Sequence, residues 1–91
     1  MKKAIRLYIY GTVQGVFFRT FIKKNAELLS LKGYVRNKED GSLEIWVEGN
    51  SEGVDKMIEI CKKGPEHSII KRLDIVEEKM QDLKEFKVLR F

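Results

Sequence analysis

The sequence predicts an α+β sandwich in the order βαββαβ, and three observations carry that expectation. Residues 4–10 alternate apolar and polar, the period of a half-buried strand. Two later segments repeat apolar residues at helical spacing: Phe18, Phe21, Ile22, Ala26 and Leu29, then Val54, Met57, Ile58 and Cys61. The remaining apolar runs are short and bounded by Gly, Asn, Asp or Pro, as strands between turns are.

Each element follows in order. The first strand buries Ile5, Leu7 and Ile9 on one face. The first helix ends near Leu29 and Ser30, and residues 33–37 form the second strand. Residues 38–42 make a turn, because Asp40-Gly41 is the strongest short hairpin signal in the chain. The third strand sets Leu43, Ile45 and Val47 against an opposite, polar face of Glu44, Trp46 and Glu48. Ser51 is placed to cap the second helix, and Gly64-Pro65 ends it. Residues 69–76 form a fourth strand, and residues 86–91 add a short fifth. This is the split βαβ, or ferredoxin-like, arrangement: two helices on one face of an antiparallel sheet.

Ninety-one residues fit one domain, spanning 1–91. The 43% hydrophobic content excludes a disordered chain, and no apolar run nears the ~20 residues of a membrane span. Met1-Lys2-Lys3 lacks the apolar block of a signal peptide, so the expected location is the cytoplasm. Cys61 is the only cysteine and reads as a core residue. Residues 1–37 hold eight Lys/Arg and one acid, for a sum of +7, whereas residues 38–91 sum to −3. A positive half of this kind steers small anions toward it, unless its lysines are merely solvated.

Residues 11–19, Gly11-Thr12-Val13-Gln14-Gly15-Val16-Phe17-Phe18-Arg19, join the first strand to the first helix. A glycine-containing turn at a helix start collects unpaired N–H groups with the positive end of the helix dipole behind them. The amides of Gln14, Gly15, Val16, Phe17, Phe18 and Arg19 are therefore candidate phosphate ligands. Arg19 adds a fixed charge and a planar fork of donors.

The same segment lacks Ser, Cys, His, Asp and Glu, so an activated nucleophile is poorly supported. Metal binding is poorly supported too: His67 is the only histidine and there is no Cys/His cluster. What remains is positioning and charge, with water as the acceptor. Asn37, a polar residue on the inner face with Val35, is the best candidate to orient that water. Without a proton donor the leaving group must depart as a stable anion. A carboxylate qualifies, its conjugate acid having a pKa of about 4. That makes the expected substrate an acyl phosphate and the products a carboxylate and inorganic phosphate.

With these residues in place the chain resembles the acylphosphatases. Gly11 to Arg19 forms the first signature, and Gly33-Tyr34-Val35-Arg36-Asn37 with Asp40-Gly41 and Gly49 the second. Gly64-Pro65 and the aromatic C-terminus match as well. The resemblance implies that loop amides bind phosphate, that Arg19 anchors it and that Asn37 orients the water. It also implies a small cytosolic monomer that needs no metal or cofactor and has no nucleic-acid or membrane partner. Two positions depart from the family pattern. Ser30 stands where many members have glycine, which costs about 1 kcal/mol if the residue is left-handed. His67-Ser68 stands where a small residue is usual. Phe17, Phe18 and Phe21 read as core or loop packing, or for Phe17 as the entrance for the acyl group.

A rival reading comes from the other sheet face, where Arg6, Tyr8, Tyr10, Tyr34, Arg36 and Trp46 alternate outward. RNA-recognition modules share the βαββαβ order and stack bases on such aromatics. The match fails beyond Lys32-Gly33-Tyr34, which also falls on the second strand rather than the third.

Overall fold

The computed structural model describes residues 1–13 and 16–89, and of Val16 the backbone alone. Its elements are β1 (Lys2–Thr12), α1 (Val16–Leu28), β2 (Lys32–Asn37), β3 (Leu43–Asn50), α2 (Ser51–Lys63), β4 (Ile69–Glu78) and β5 (Phe86–Val88). The strands form one sheet in the order β4-β1-β3-β2-β5.

The sheet is mixed rather than wholly antiparallel, because β5 pairs parallel to β2. The cause lies in the path of the chain. β4 ends beside Ala4, at the start of β1. Residues 79–85 then cross from that edge to the other, and β5 enters beside Gly33, at the start of β2. Both strands leave the same end, so they run the same way.

One face of the sheet presents Ile5, Leu7 and Ile9, the residues they oppose (Val47, Ile45 and Leu43), and Val35 beyond them. Phe18, Ile22 and Ala26 of α1 and Val54, Met57 and Cys61 of α2 close over this face. Each large apolar side chain buried there contributes roughly 1.5–3 kcal/mol. Cys61 is fully buried, and burial pushes its thiol up to about 12, so it behaves as a small apolar filler.

The helix ends follow local chemistry. Ser30 is left-handed at φ 57°, with Leu31 N–H bonded to Ala26 O and Ser30 N–H to Glu27 O, the paired bonds of a Schellman cap. The serine therefore sits where glycine is least strained. Asn50, not Ser51, is the N-cap of α2, with no side-chain cap bond; Ser51 N–H bonds to Met1 O instead, at 2.9 Å. Gly64, at φ 71°, closes α2 as its position before Pro65 predicts.

The face opposite the helices departs from the alternation. Glu44, Trp46 and Glu48 are buried rather than exposed. Glu44 accepts from Tyr34 Oη at 2.6 Å and from Arg36 Nη2 at 2.7 Å, and Arg6 Nε lies 3.9 Å away. Glu48 accepts from the Trp46 indole at 3.0 Å and from the backbone amides of Gln81 and Leu83 at 3.0 and 2.9 Å. The 79–85 crossing thus lies over this face and is tied to it by a carboxylate.

Candidate functional site

The fold brings the two signature segments to one end of the sheet. Ile9 opposes Leu43, and Leu43 opposes Asn37, so the three share a row across β1, β3 and β2. β1 runs three residues further along β4, to Thr12, through a register shift between Tyr10 and Gly11. Gly11 is required there: at φ 139° any Cβ would collide with the carbonyl oxygen of Ile69. The chain then turns back as α1, which packs on β2 and β5. The first turn of α1, with Arg19, therefore lies at the end where β2 finishes with Asn37.

Gln14 and Gly15, two of the expected phosphate ligands, lie outside the described residues. The amides of Val16, Phe17, Phe18 and Arg19 belong to the opening turn of α1, whose N–H groups have no intrahelical acceptor. No acidic residue stands in that turn. Arg19 is half-buried, and its Nε is buried with no hydrogen-bond partner among the described residues. Asn37 is also half-buried, and its Oδ1 is likewise buried and unpartnered. A third such atom, Arg6 Nε, sits on the opposite face beside the Glu44 carboxylate. An unpartnered buried polar atom costs about 1–3 kcal/mol. Both predicted side chains thus carry that cost at the same end of the sheet.

Asn37 opens onto a cavity of about 600 Å³ lined also by Arg36, Lys38, Glu39 and Asp40. The hairpin that shapes it is fixed by Lys38 N–H to Ser42 O at 2.8 Å and by Asp40 Oδ1 accepting from Ser42 N–H and Oγ–H. Behind Asn37, Arg36 donates from Nε and Nη2 to Glu44 Oε1, which pins the end of β2. Burial pushes the Glu44 carboxyl up, but the Tyr34 and Arg36 hydrogen bonds and charges outweigh it and hold it below the usual range. Burial, with the Glu44 carboxylate adding to it, raises the Tyr34 hydroxyl to about 12. Glu44 supports the site from beneath, and strand alternation reads it as an exposed polar residue. Only the cross-strand register, which sets it opposite Tyr8 and Arg36, reveals it.

The positive charge of residues 1–37 is partly answered within the fold. Lys3 pairs with Asp55 at 2.6 Å, Lys23 with Glu27 at 3.5 Å, and Arg6 with Glu78 at 3.3 Å. Arg19, like Lys2, Lys24 and Lys32, enters no ion pair among the described residues, and of these four it alone stands in the first turn of α1. Among those residues no group of three or more His, Cys, Asp or Glu could hold a metal ion. No helix among them is long and apolar enough to cross a membrane. His67 is an exposed turn residue at φ 66°, and Phe18 is core while Phe17 is 85% exposed rather than packed.

The sequence model of the acylphosphatase family matches residues 5–88. An acylphosphatase of Syntrophus aciditrophicus is 42% identical over 78 residues, covering 86% of this chain and 81% of the relative. The crystal structure of an acylphosphatase from Bacillus subtilis superposes with a TM-score of 0.92 at 30% identity, covering 99% of this chain and 100% of the other. An acylphosphatase from Coxiella burnetii superposes at 0.91 with 31% identity, over 97% and 93% of the two chains. The chain belongs to the acylphosphatase family and is an enzyme of that class.

Proposed function

We propose that this enzyme hydrolyses the carboxyl–phosphate bond of acyl phosphates by direct attack of a water that Asn37 orients. The observation that carries the reading is a pair of buried atoms, Arg19 Nε and Asn37 Oδ1, without partners among the described residues and at one end of the sheet. The loop and helix-start amides of Gln14, Gly15, Val16, Phe17, Phe18 and Arg19 hold the phosphoryl oxygens, and the Arg19 guanidinium neutralises the charge gathering on them. Asn37 Oδ1 accepts a hydrogen bond from water and aims its oxygen at phosphorus without removing a proton. The new P–O bond forms as the P–O bond to the acyl group breaks. The carboxylate leaves with the bonding electrons, and the proton of the water ends on inorganic phosphate. A carboxylate needs no acid to depart.

In this reading residues 1–91 form one catalytic unit that works as a cytoplasmic monomer without metal, cofactor or nucleic acid. The sheet face opposite the helices supports the last point. Trp46 is buried under stacked Tyr34, Arg6 lies over Trp46, and Arg6 and Arg36 are paired with Glu78 and Glu44. A comparative assay tests the proposal: benzoyl phosphate against an aryl phosphomonoester, each with and without chelator. Fast hydrolysis of the anhydride alone, unchanged by chelator, is expected. Metal-dependent turnover, a phosphorylated side chain, or RNA retained on a filter without hydrolysis would overturn it.

A further inference from the structure

We infer that the cavity where β1 and β2 begin is a second anion site, which takes a small ligand carrying two or more phosphate groups. It lies at the opposite end of the sheet from Asn37 and uses none of the residues of the proposed reaction.

The cavity has a volume of about 360 Å³, and Lys2, Lys32 and Lys84 line it together with Glu48, Asn50 and Asp82. A space of that size takes a small molecule. The sheet brings two of the lysines together. β3 runs between β1 and β2, with Lys2 opposite Asn50 and Lys32 opposite Glu48. Alternation puts both on the face of Glu48, away from the helices, and two strand spacings separate them by roughly 10 Å across the sheet. Lys84 comes from the 79–85 crossing, and its backbone is fixed on both sides. Leu83 N–H donates to Glu48 Oε2 at 2.9 Å, and Glu85 O accepts from Gly33 N–H at 3.0 Å. These lysines lack the partners that their positions offer. Lys32 stands across from Glu48, the kind of opposite-charge pair that stabilises a sheet. That carboxylate is taken instead by the Trp46 indole and the amides of Gln81 and Leu83. Lys2 stands across from Asn50, a neutral amide whose side chain makes no cap bond. None of the three lysines enters an ion pair among the described residues. With Glu48 occupied, three cations face one remaining lining carboxylate, Asp82. Like charges around one cavity repel, and an anion between them removes that repulsion. An ammonium acts as a point charge, which suits phosphate oxygens from any direction. The described lining holds no aromatic ring on which a base would stack, so the site reads the phosphates alone.

The test is equilibrium binding of inorganic triphosphate at low salt to the full chain carrying Arg19→Ala, which takes the proposed catalytic site out of the measurement. Binding is expected to persist in that variant and to weaken as salt is raised. Adding Lys32→Ala and Lys84→Ala is expected to weaken it about tenfold. Adding Lys24→Ala on α1 and Lys56→Ala on α2 instead removes the same charge elsewhere and is expected to leave it unchanged. ATP is expected to bind no more tightly than triphosphate. Absence of binding to Arg19→Ala, an equal loss in the two sets of lysine variants, or a clear preference for ATP would each overturn the inference.

Discussion

The two ends of the sheet are finished in opposite ways. At the end where β3 passes into α2, each buried charge is answered. Glu48 takes hydrogen bonds from Trp46, Gln81 and Leu83, and α2 opens there with Glu52 in its first turn, its far end closing with Lys62 and Lys63. Those helix charges match the macrodipole, each contributing about 0.3–1 kcal/mol. At the end where β2 stops, α1 opens with no acid, holds a cation in its first turn and has no basic residue in its last. Arg19 Nε and Asn37 Oδ1 stay buried there without a partner among the described residues. Stability alone favours the first pattern. Under the proposed reaction the second pattern serves an arriving anion, and the two ends then divide the labour between holding the fold and doing the chemistry.

That division is testable, beginning where the effect is greatest. Arg19→Ala is expected to lower kcat/KM by about 10²–10³ and to abolish inhibition by inorganic phosphate, while the melting temperature holds or rises. Normal turnover in the folded variant would remove Arg19 from the site. Asn37→Ala should lose about 10² in kcat with phosphate inhibition kept; an equal loss of inhibition would make Asn37 a binding residue.

At the other end the readout changes from rate to stability. Glu48→Gln is expected to cost about 2 kcal/mol by urea denaturation, with kcat/KM unaltered. Its pH dependence follows from the carboxyl itself. Burial pushes Glu48 up, but the amides of Gln81, Leu83 and Asp82 and the Trp46 indole outweigh this and hold it below the ordinary 4.5. A group lowered in the folded state gives its full contribution above the ordinary value and loses it as pH falls through the folded one. Acid unfolding should therefore be shallower in Glu48→Gln than in the wild type, with Glu44 sustaining the remainder. Glu52→Gln should cost the least, about 0.3–1 kcal/mol and less at high salt.

Much of this division can be read in the chain. Periodicity marks the buried faces of both helices because Phe18, Ile22 and Ala26 obey the helical period without interruption. The same local logic picks out Arg19 and Asn37, a cation at a helix start and an amide on an apolar strand face. It fails at Glu44 and Glu48, since alternation assigns a carboxylate to solvent. Their cross-strand and crossing partners lie 8 to 35 positions away along the chain. It also fails for β5, whose three residues carry no sign of direction; the 79–85 crossing decides that.

The central place of β1 has a consequence for how the molecule is made. Its hydrogen-bonding neighbours are β3 and β4, and Ala4 waits for Glu78. A ribosome adding 5–20 residues per second needs on the order of several seconds to supply that partner. Through that interval β1 carries an apolar stripe and an edge without its β4 partner. That interval exposes the strand to aggregation, and closure around sequence-distant strands slows refolding relative to a fold built from local contacts.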